Sequence, residues 1–564
     1  MSTGHASNSR CGPSVTDPVA AQDDSEVSSQ TGTASAWFCL GLLLALGAPQ
    51  FICMPVTNDV SYYDIQARTA LNGGVLYRDM VEPNLPGVVW VHMLVRSVAG
   101  WSTEVLRSFD LIVFLAIAGL FGAWNAIAAD SRKAGLWTVV ALTLIYLSVS
   151  EWCHVQRDVW LLLPVIAALQ LRRRQMDRFQ QEDSTAKSIV GWGFVEGLCL
   201  GAGVWIKPHV LIPAGWVWIV SVVRMPRRLV AADLCGLVTG GLTAGAVGAG
   251  WLVATGAWPW LFDMLLHWNP EYVSSGDHFW QSFVIRALLF RLSPFWMVHL
   301  VAIPVAVTSL LRQRPESQIG RHGRLLPVLY LGWCVQVLLL QHPFDYVHLP
   351  PVLLGTAWLS LWLAENWQGR AGIRLMSYMA VCTAVMFSPI KDVQRLKLWS
   401  RCVTEGSTAE LRNRLAQIPY PDWQDLEQVG QFLKQQGARD HEVTCWSNDL
   451  VHLYRDLDLE PSTRFVYANT HLTHFNSRRQ MILDALNSSQ HKFVLTNAMA
   501  GGLLASQAKE IGMEGPTGLP PGFPEAMRQE FPWHLPIAYR SGSLIVHRVP
   551  DDYEVSIDFK QPGP

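Results

Sequence analysis

Up to about residue 390 the chain alternates long apolar runs with short polar stretches. A spanning helix needs about 20 mostly apolar residues. The runs at 36–54, 108–128, 135–150, 159–171, 189–206, 209–223, 229–256, 293–311, 325–341, 346–364 and 371–389 predict about eleven such helices. Before them, residues 1–35 are rich in Ser, Thr, Gly, Asp and Ala without apolar periodicity, and read as a disordered cytoplasmic tail. A signal peptide places its apolar core directly after a short basic start. Here the core begins only near Trp37, so it reads as a retained first helix.

The cations alternate with the spans. Arg132-Lys133, Arg172–Arg174 with Arg178 and Lys187, Arg224 with Arg227-Arg228, Arg312 to Arg324, and Arg370 with Arg374 fall in one set of loops. The other set (151–158, 207–208, 257–292 and 342–345) is poor in cations. Cationic loops stay on the cytoplasmic side. The N-terminus is then cytoplasmic and the C-terminal part extracytoplasmic. The run at 86–99 is too short to cross and would reverse every later loop. It reads as a helix lying in the interface, within a first outer loop at 55–107.

Beyond 390 the long apolar runs stop and charge rises. Helical stretches (408–416, 422–436, 476–487) alternate with strand-like ones at Glu442–Trp446, Arg464–Tyr467, Lys492–Thr496 and Ser543–His547. The predicted plan is a tail at 1–35, a polytopic α-helical membrane domain at 36–390, and an extracytoplasmic α/β domain at 391–564.

Composition agrees. Of 564 residues 50% are hydrophobic and only 16% charged, against about 25% charged in soluble domains. The 25 Trp suit membrane interfaces. A net charge of −2 gives no basic field for nucleic acid. Ten cysteines include no CxxC pair, which argues against a zinc or dithiol site. Cys402 and Cys445 share the outer domain and are candidates to pair, which spacing alone does not decide.

Candidate chemistry gathers in the outer loops. The first carries Asn58-Asp59-Val60-Ser61-Tyr62-Tyr63, then Tyr77-Arg78-Asp79 and Glu82-Pro83-Asn84-Leu85-Pro86-Gly87. The second carries Gln156-Arg157-Asp158, the third Lys207-Pro208-His209, and the last Gln341-His342 to Tyr346-Val347-His348-Leu349-Pro350-Pro351. A carboxylate held among aromatic residues at a membrane surface acquires a raised pKa and can serve as a general base. Asp59 fits that description. Its bland alternative is a helix N-cap. Asp64 is the rival base. Arg78 reads either as an anion-binding fork or as one half of an ion pair with Asp79 or Glu82. Arg157-Asp158 reads as a binding pair or a helix lock. Lys207 is either a partner for a lipid phosphate or a snorkelling cation. Asp263, His267, Glu271, Asp277 and His278 match no metal spacing, so no metal site is assigned, and a divalent cation is neither indicated nor excluded.

As a constellation these motifs resemble the GT-C superfamily of polytopic membrane glycosyltransferases, in particular its family 39, protein O-mannosyltransferase-like and aminoarabinose-transferase-like members. There an acidic residue soon after the first span is the base, and Asp59 stands in that place. Tyr77-Arg78-Asp79 and Glu82-Pro83 resemble a superfamily signature, but Asn84 stands where a Lys is common. Asp158 matches a second acidic position. The resemblance implies an inverting hexosyl- or pentosyltransferase of the cell envelope, with a polyprenyl-phosphate-linked sugar as donor and an unidentified acceptor. Asp59 and Asp158 would be catalytic, and Tyr63, Arg78, Glu82, Arg157, Lys207, Tyr346 and His348 would bind substrate. A transporter or flippase, or a non-enzymatic assembly protein, is the alternative. Charges confined to outer loops and the lack of repeated halves argue against a transporter.

Overall fold

The computed structural model describes residues 18–178, 185–274, 292–311, 324–341, 344–366, 392–418, 421–503, 518–520 and 522–557, with isolated positions between 371 and 389. The apolar runs form α1 (Pro18–Cys53), then α2 (Asn58–Leu71) and α3 (Gly87–Ala99) of the first loop. α4 (Thr103–Ala128), α5 (Arg132–Ser148), α6 (Arg157–Trp160), α7 (Leu162–Arg178), α8 (Ala186–Ile206), α9 (Leu211–Val222) and α10 (Arg227–Ala254) follow. α11 (Val298–Leu311), α12 (Leu325–Leu340) and α13 (Asp345–Asn366) complete the apolar set. Among the described residues, five helices are long and apolar enough to cross a membrane: Gly32–Cys53, α4, α8, α10 and α13. The others are shorter. The expected run at 371–389 lies mostly outside the described residues, as do His342, Asp277 and His278.

Two local differences from the expected runs appear. α1 starts at Pro18, so part of the expected tail is helical, although Asp, Ser, Thr and Gly make up half of residues 18–35 and helix propensity does not account for it. The run at 159–171 divides into α6 and α7, so Arg157 and Asp158 stand on a separate short turn.

Helix ends follow their caps. Ser102, Ser131 and Thr185 accept backbone N–H groups at the starts of α4, α5 and α8. α8 and α10 meet through glycines: a Cβ on Gly197 would overlap the Leu237 carbonyl, and one on Gly240 the Phe194 carbonyl. Small residues let two membrane helices approach this closely. Arg172 of α7 closes the same contact, donating to Glu196 of α8 and Asp233 of α10 at 2.8–3.0 Å.

Near the C-terminus a small mixed sheet forms from β1 (Val443–Cys445), β2 (Phe493–Asn497), β3 (Ile537–Ser541) and β4 (Leu544–Arg548), in the order β1-β2-β4-β3. β1 and β2 are parallel, and the other pairs antiparallel. Helices at Ala409–Leu415, Trp423–Gln435 and Arg479–Asn487 match the expected ones. Arg464–Tyr467 is not a strand. Its backbone serves the first loop instead, the Val81 N–H donating to the Arg464 carbonyl at 3.1 Å. Cys402 and Cys445 do not pair. Cys445 donates to the Leu450 carbonyl within β1's own core, while Cys402 sits against Cys53 at the end of α1.

α2 is the junction. Its face from Val60 to Arg68 is buried between α3 and the C-terminal region. Tyr62 lies 4.7 Å from Tyr467, Ser61 bonds His452 at 2.7 Å, and Arg68 donates to Asp458 and to the Tyr454 and Leu459 carbonyls. α3 matches the expected short helix of the first loop, burying Val88, Val89, His92 and Val95 and leaving Leu94 and Val98 exposed.

Candidate active site

Asp59 occupies the first turn of α2, with Tyr63 one turn on and therefore on the same face. It is not the helix cap: Thr57 precedes the helix, and no side-chain capping bond forms there. Asp59 is half-buried, and its carboxylate accepts no hydrogen bond among the described residues. Burial pushes its carboxyl up to about 6, Arg157 pulls it back, and Glu82 adds to the rise.

Asp64, the rival, is committed elsewhere. Arg96 grips it with two N–H groups, and His92 Nδ1 lies 2.8 Å from it, all three side chains being buried. Burial alone would raise this carboxyl, but the bonds from His92 and Arg96 outweigh it and hold it well below the usual range.

Glu82 is buried within electrostatic reach of Asp59. It accepts from Gln66 Nε2 at 3.0 Å, from the Asn84 backbone N–H at 2.8 Å, and from the Asn84 side-chain amide. Burial raises its carboxyl, while Arg157 and these bonds oppose the rise.

Arg157 opens α6, two residues after Val155. Val155 holds φ at +58°, rare for a β-branched residue. The Arg157 guanidinium lies 4.0 Å from Asp158 and is held firmly cationic: burial disfavours its charge, but Tyr63, Asp158, Tyr346 and Glu82 outweigh it. Asp158 accepts from Lys207 Nζ at 2.6 Å through Oδ1, while its buried Oδ2 has no hydrogen-bond partner among the described residues. Lys207 follows the last residue of α8 and also donates to Gln341 Oε1 at 2.5 Å. Burial brings its ammonium down to about 8 against the pull of Asp158, and Arg157 adds to the fall. Tyr346, in the first turn of α13, is buried within electrostatic reach of Asp59, Arg157, Asp158 and Tyr63.

The result is one cluster of neighbouring charged groups with two poles. Carboxylates Asp59 and Glu82 form one. Arg157 and Lys207, bridged by Asp158, form the other. Tyr63 and Tyr346 are within electrostatic reach of both.

No protein-family model matches the chain, and no curated protein does. Among solved structures, the crystal structure of ArnT from Cupriavidus metallidurans bound to undecaprenyl phosphate matches with a TM-score of 0.51 at 12% identity. The match covers 91% of this chain and 98% of that one. The chain shares the fold of that structure.

Within this frame two expected residues stand apart. Arg78 is half-exposed and forms a two-pronged ion pair with Asp79 at 2.6 and 2.9 Å, the plainer of its two expected roles. His348 is buried in the turn that carries Tyr346, but residues two apart on a helix do not face the same way. Tyr63, Glu82, Arg157, Asp158, Lys207 and Tyr346 all come together with Asp59.

Four neighbours carry no site role in the sequence reading. Gln66 and Asn84 hold Glu82, and Gln341 holds Lys207. Tyr467 stands on the C-terminal side within reach of Asp59 and Glu82, its hydroxyl 3.3 Å from the Asn58 carbonyl. Asn84 had a signal: it occupies the position where the resembled signature carries Lys. Tyr467 had none, lying in a segment that reads as a strand.

Proposed function

We propose that this protein is a membrane glycosyltransferase that moves a monosaccharide from a polyprenyl-phosphate carrier to an acceptor hydroxyl. The observation that carries this is the two-pole cluster of charged side chains. A carboxylate with a raised pKa and no hydrogen-bond partner among the described residues stands at one pole, and Arg157 and Lys207 gather at the other, on a fold shared with a protein seen bound to undecaprenyl phosphate.

In this reading Asp59 takes the proton of the acceptor hydroxyl. The acceptor oxygen attacks the anomeric carbon from the face opposite the phosphate. The bond from that carbon to the phosphate oxygen breaks, the configuration inverts, and polyprenyl phosphate departs. Arg157 and Lys207 meet the charge that develops on the leaving phosphate, where fixed cations in a dry site act most strongly. Asp158 sets Lys207 in place and offers Oδ2 to a sugar hydroxyl. Glu82 orients the acceptor beside Asp59, and Tyr63 and Tyr346 line the sugar. His348 supports the turn that carries Tyr346. Arg78 is tied to Asp79 and has no role in the transfer.

The site then faces the extracytoplasmic side of the plasma or inner membrane. The N-terminus is cytoplasmic, the spans number about eleven, and the C-terminal α/β domain is external. The lipid tail stays in the bilayer while its phosphate lies at headgroup depth.

The test is sugar transfer by the purified chain in liposomes with a panel of polyprenyl-phosphate sugars, wild type against Asp59→Asn. Transfer from one donor, lost in the variant, supports the reading and names the sugar. Equal transfer by the variant removes Asp59 as the base. No transfer and no binding of any donor sinks the assignment.

A further inference from the structure

We propose that Gln341 is a positioning residue that aims the Lys207 ammonium at the phosphate of the lipid carrier. This rests on the assignment of Lys207 to the phosphate made above.

An ammonium has three N–H donors and no acceptor. Two of the three on Lys207 are occupied, by Asp158 Oδ1 at 2.6 Å and by Gln341 Oε1 at 2.5 Å. Among the described residues nothing accepts the third. Two fixed acceptors define the direction of the remaining donor, which is then available to a ligand oxygen.

The orientation of Gln341 is itself determined. Only its oxygen can face an ammonium, so its NH₂ must face away. There it donates to Gln336 Oε1 at 2.6 Å. Both glutamines are buried, on the last turn of α12 and just beyond it. Gln336, Gln341, Lys207 and Asp158 therefore form one chain of hydrogen bonds with a single consistent polarity.

Charge explains why an amide suits this place. Asp158 cancels the charge of Lys207, leaving Arg157 as the net positive charge of the group. A second carboxylate would cancel that as well. A neutral acceptor holds the ammonium without weakening the pole. The titratable groups facing Lys207 are Asp158 and Arg157 from α6 and His209 from the adjoining turn.

The experiment measures binding of undecaprenyl phosphate to the purified full chain in nanodiscs between pH 6 and 10. It compares wild type, Lys207→Met, Gln341→Leu and Gln341→Glu. Loss of one hydrogen bond to a charged group predicts that Gln341→Leu binds roughly 10- to 100-fold more weakly at neutral pH. Gln341→Glu keeps an acceptor and adds an opposite charge. It is expected to move the alkaline loss of binding upward by about one pH unit or more, while lowering affinity at neutral pH. If Lys207→Met binds weakly but Gln341→Leu binds like wild type and the Gln341→Glu limb does not move, Gln341 has no positioning role. If Lys207→Met itself binds like wild type, the phosphate assignment of Lys207 fails instead. Should Gln341→Leu not fold, the limb of Gln341→Glu decides alone.

Discussion

Lys207 reaches from the end of α8 to donate to Asp158 Oδ1 on α6, across 2.6 Å. Lys207 is 6% exposed and Asp158 2%. Removing one member of a buried pair strands the other charge, which typically destabilises by about 3–5 kcal/mol. Asp158→Asn and Lys207→Met are each expected to lower the melting temperature. The double variant is expected to recover most of that loss while transfer stays absent. Thermal unfolding at a fixed scan rate, with transfer assayed alongside, checks this. A double variant less stable than either single one would show that the pair is not the link described.

Asp59 gives the opposite pattern. Among the described residues it has no bonding partner to lose, so Asp59→Asn is expected to fold normally and to reduce transfer by roughly 10²- to 10⁴-fold, the usual contribution of a positioned base. The base must be ionised, and its carboxyl is pushed up to about 6. Wild-type kcat/KM is therefore expected to fall as pH drops through about 6, well above the ordinary carboxylate range. The stability sign follows from the same shift. A raised carboxyl favours the neutral form in the folded state, so the wild type loses stability as pH rises from about 4 to about 6. Asp59→Asn cannot ionise, so it should melt above the wild type at pH 7.5, with the gap closed by about pH 4. An acid limb near 4 in the wild type would remove this account.

How much of this was legible beforehand depended on the kind of signal. Asp59, Arg157, Asp158 and Lys207 were legible because a charge beside a long apolar run is costly and stands out. The i, i+4 spacing of Asp59 and Tyr63 put them on one face once α2 was helical. Three things were not legible. Gln341 carries no charge, and glutamine at a helix end is ordinary. Tyr467 reaches the site only because its segment serves Val81 and Asn58 rather than a sheet. β3 was hidden because Ile537–Ser541 alternates poorly and is only half-buried through Tyr539. The helices were easier than the strands, since an apolar run of fixed length has one reading and a short strand has several.

Asp64 separates folding from chemistry. Its carboxylate is held low by His92 and Arg96 in a buried cluster. Asp64→Asn leaves Arg96 buried without its partner, which typically costs about 3–5 kcal/mol. A depressed carboxyl contributes stability that is present above its unfolded value, about 3.9, and disappears as pH falls through the folded value. The melting difference from wild type should thus be large at pH 7 and shrink below about pH 4. Any protein that remains folded should retain the wild-type acid limb of transfer. Loss of that limb in a folded variant would make Asp64 the base.

Arg78 predicts a small effect. Its guanidinium faces solvent and is held by Asp79, and exposed pairs contribute about 0–1 kcal/mol. Arg78→Ala is expected to change donor binding and transfer less than about fivefold, the equivalent of that energy. A loss of the size expected for Lys207→Met would return Arg78 to the phosphate.

The glycine contact between α8 and α10 ties packing to the site. A side chain on Gly197 would overlap the Leu237 carbonyl, whereas one on Gly191 of the same helix meets nothing within 4 Å. Backbone cannot yield as a flexible side chain can, so Gly197→Leu must push α8 away from α10. α8 ends at Ile206, and Lys207 is the next residue, so the displacement carries the ammonium away from Asp158 and Gln341. Gly197→Leu is expected to lower the melting temperature and to weaken undecaprenyl phosphate binding together. Gly191→Ala is expected to change neither, apart from the slight gain of replacing Gly in a helix. Binding measured at a temperature where Gly197→Leu is still folded separates the two effects. Unchanged affinity there would mean that α8 bends locally and that its glycine seam does not position Lys207.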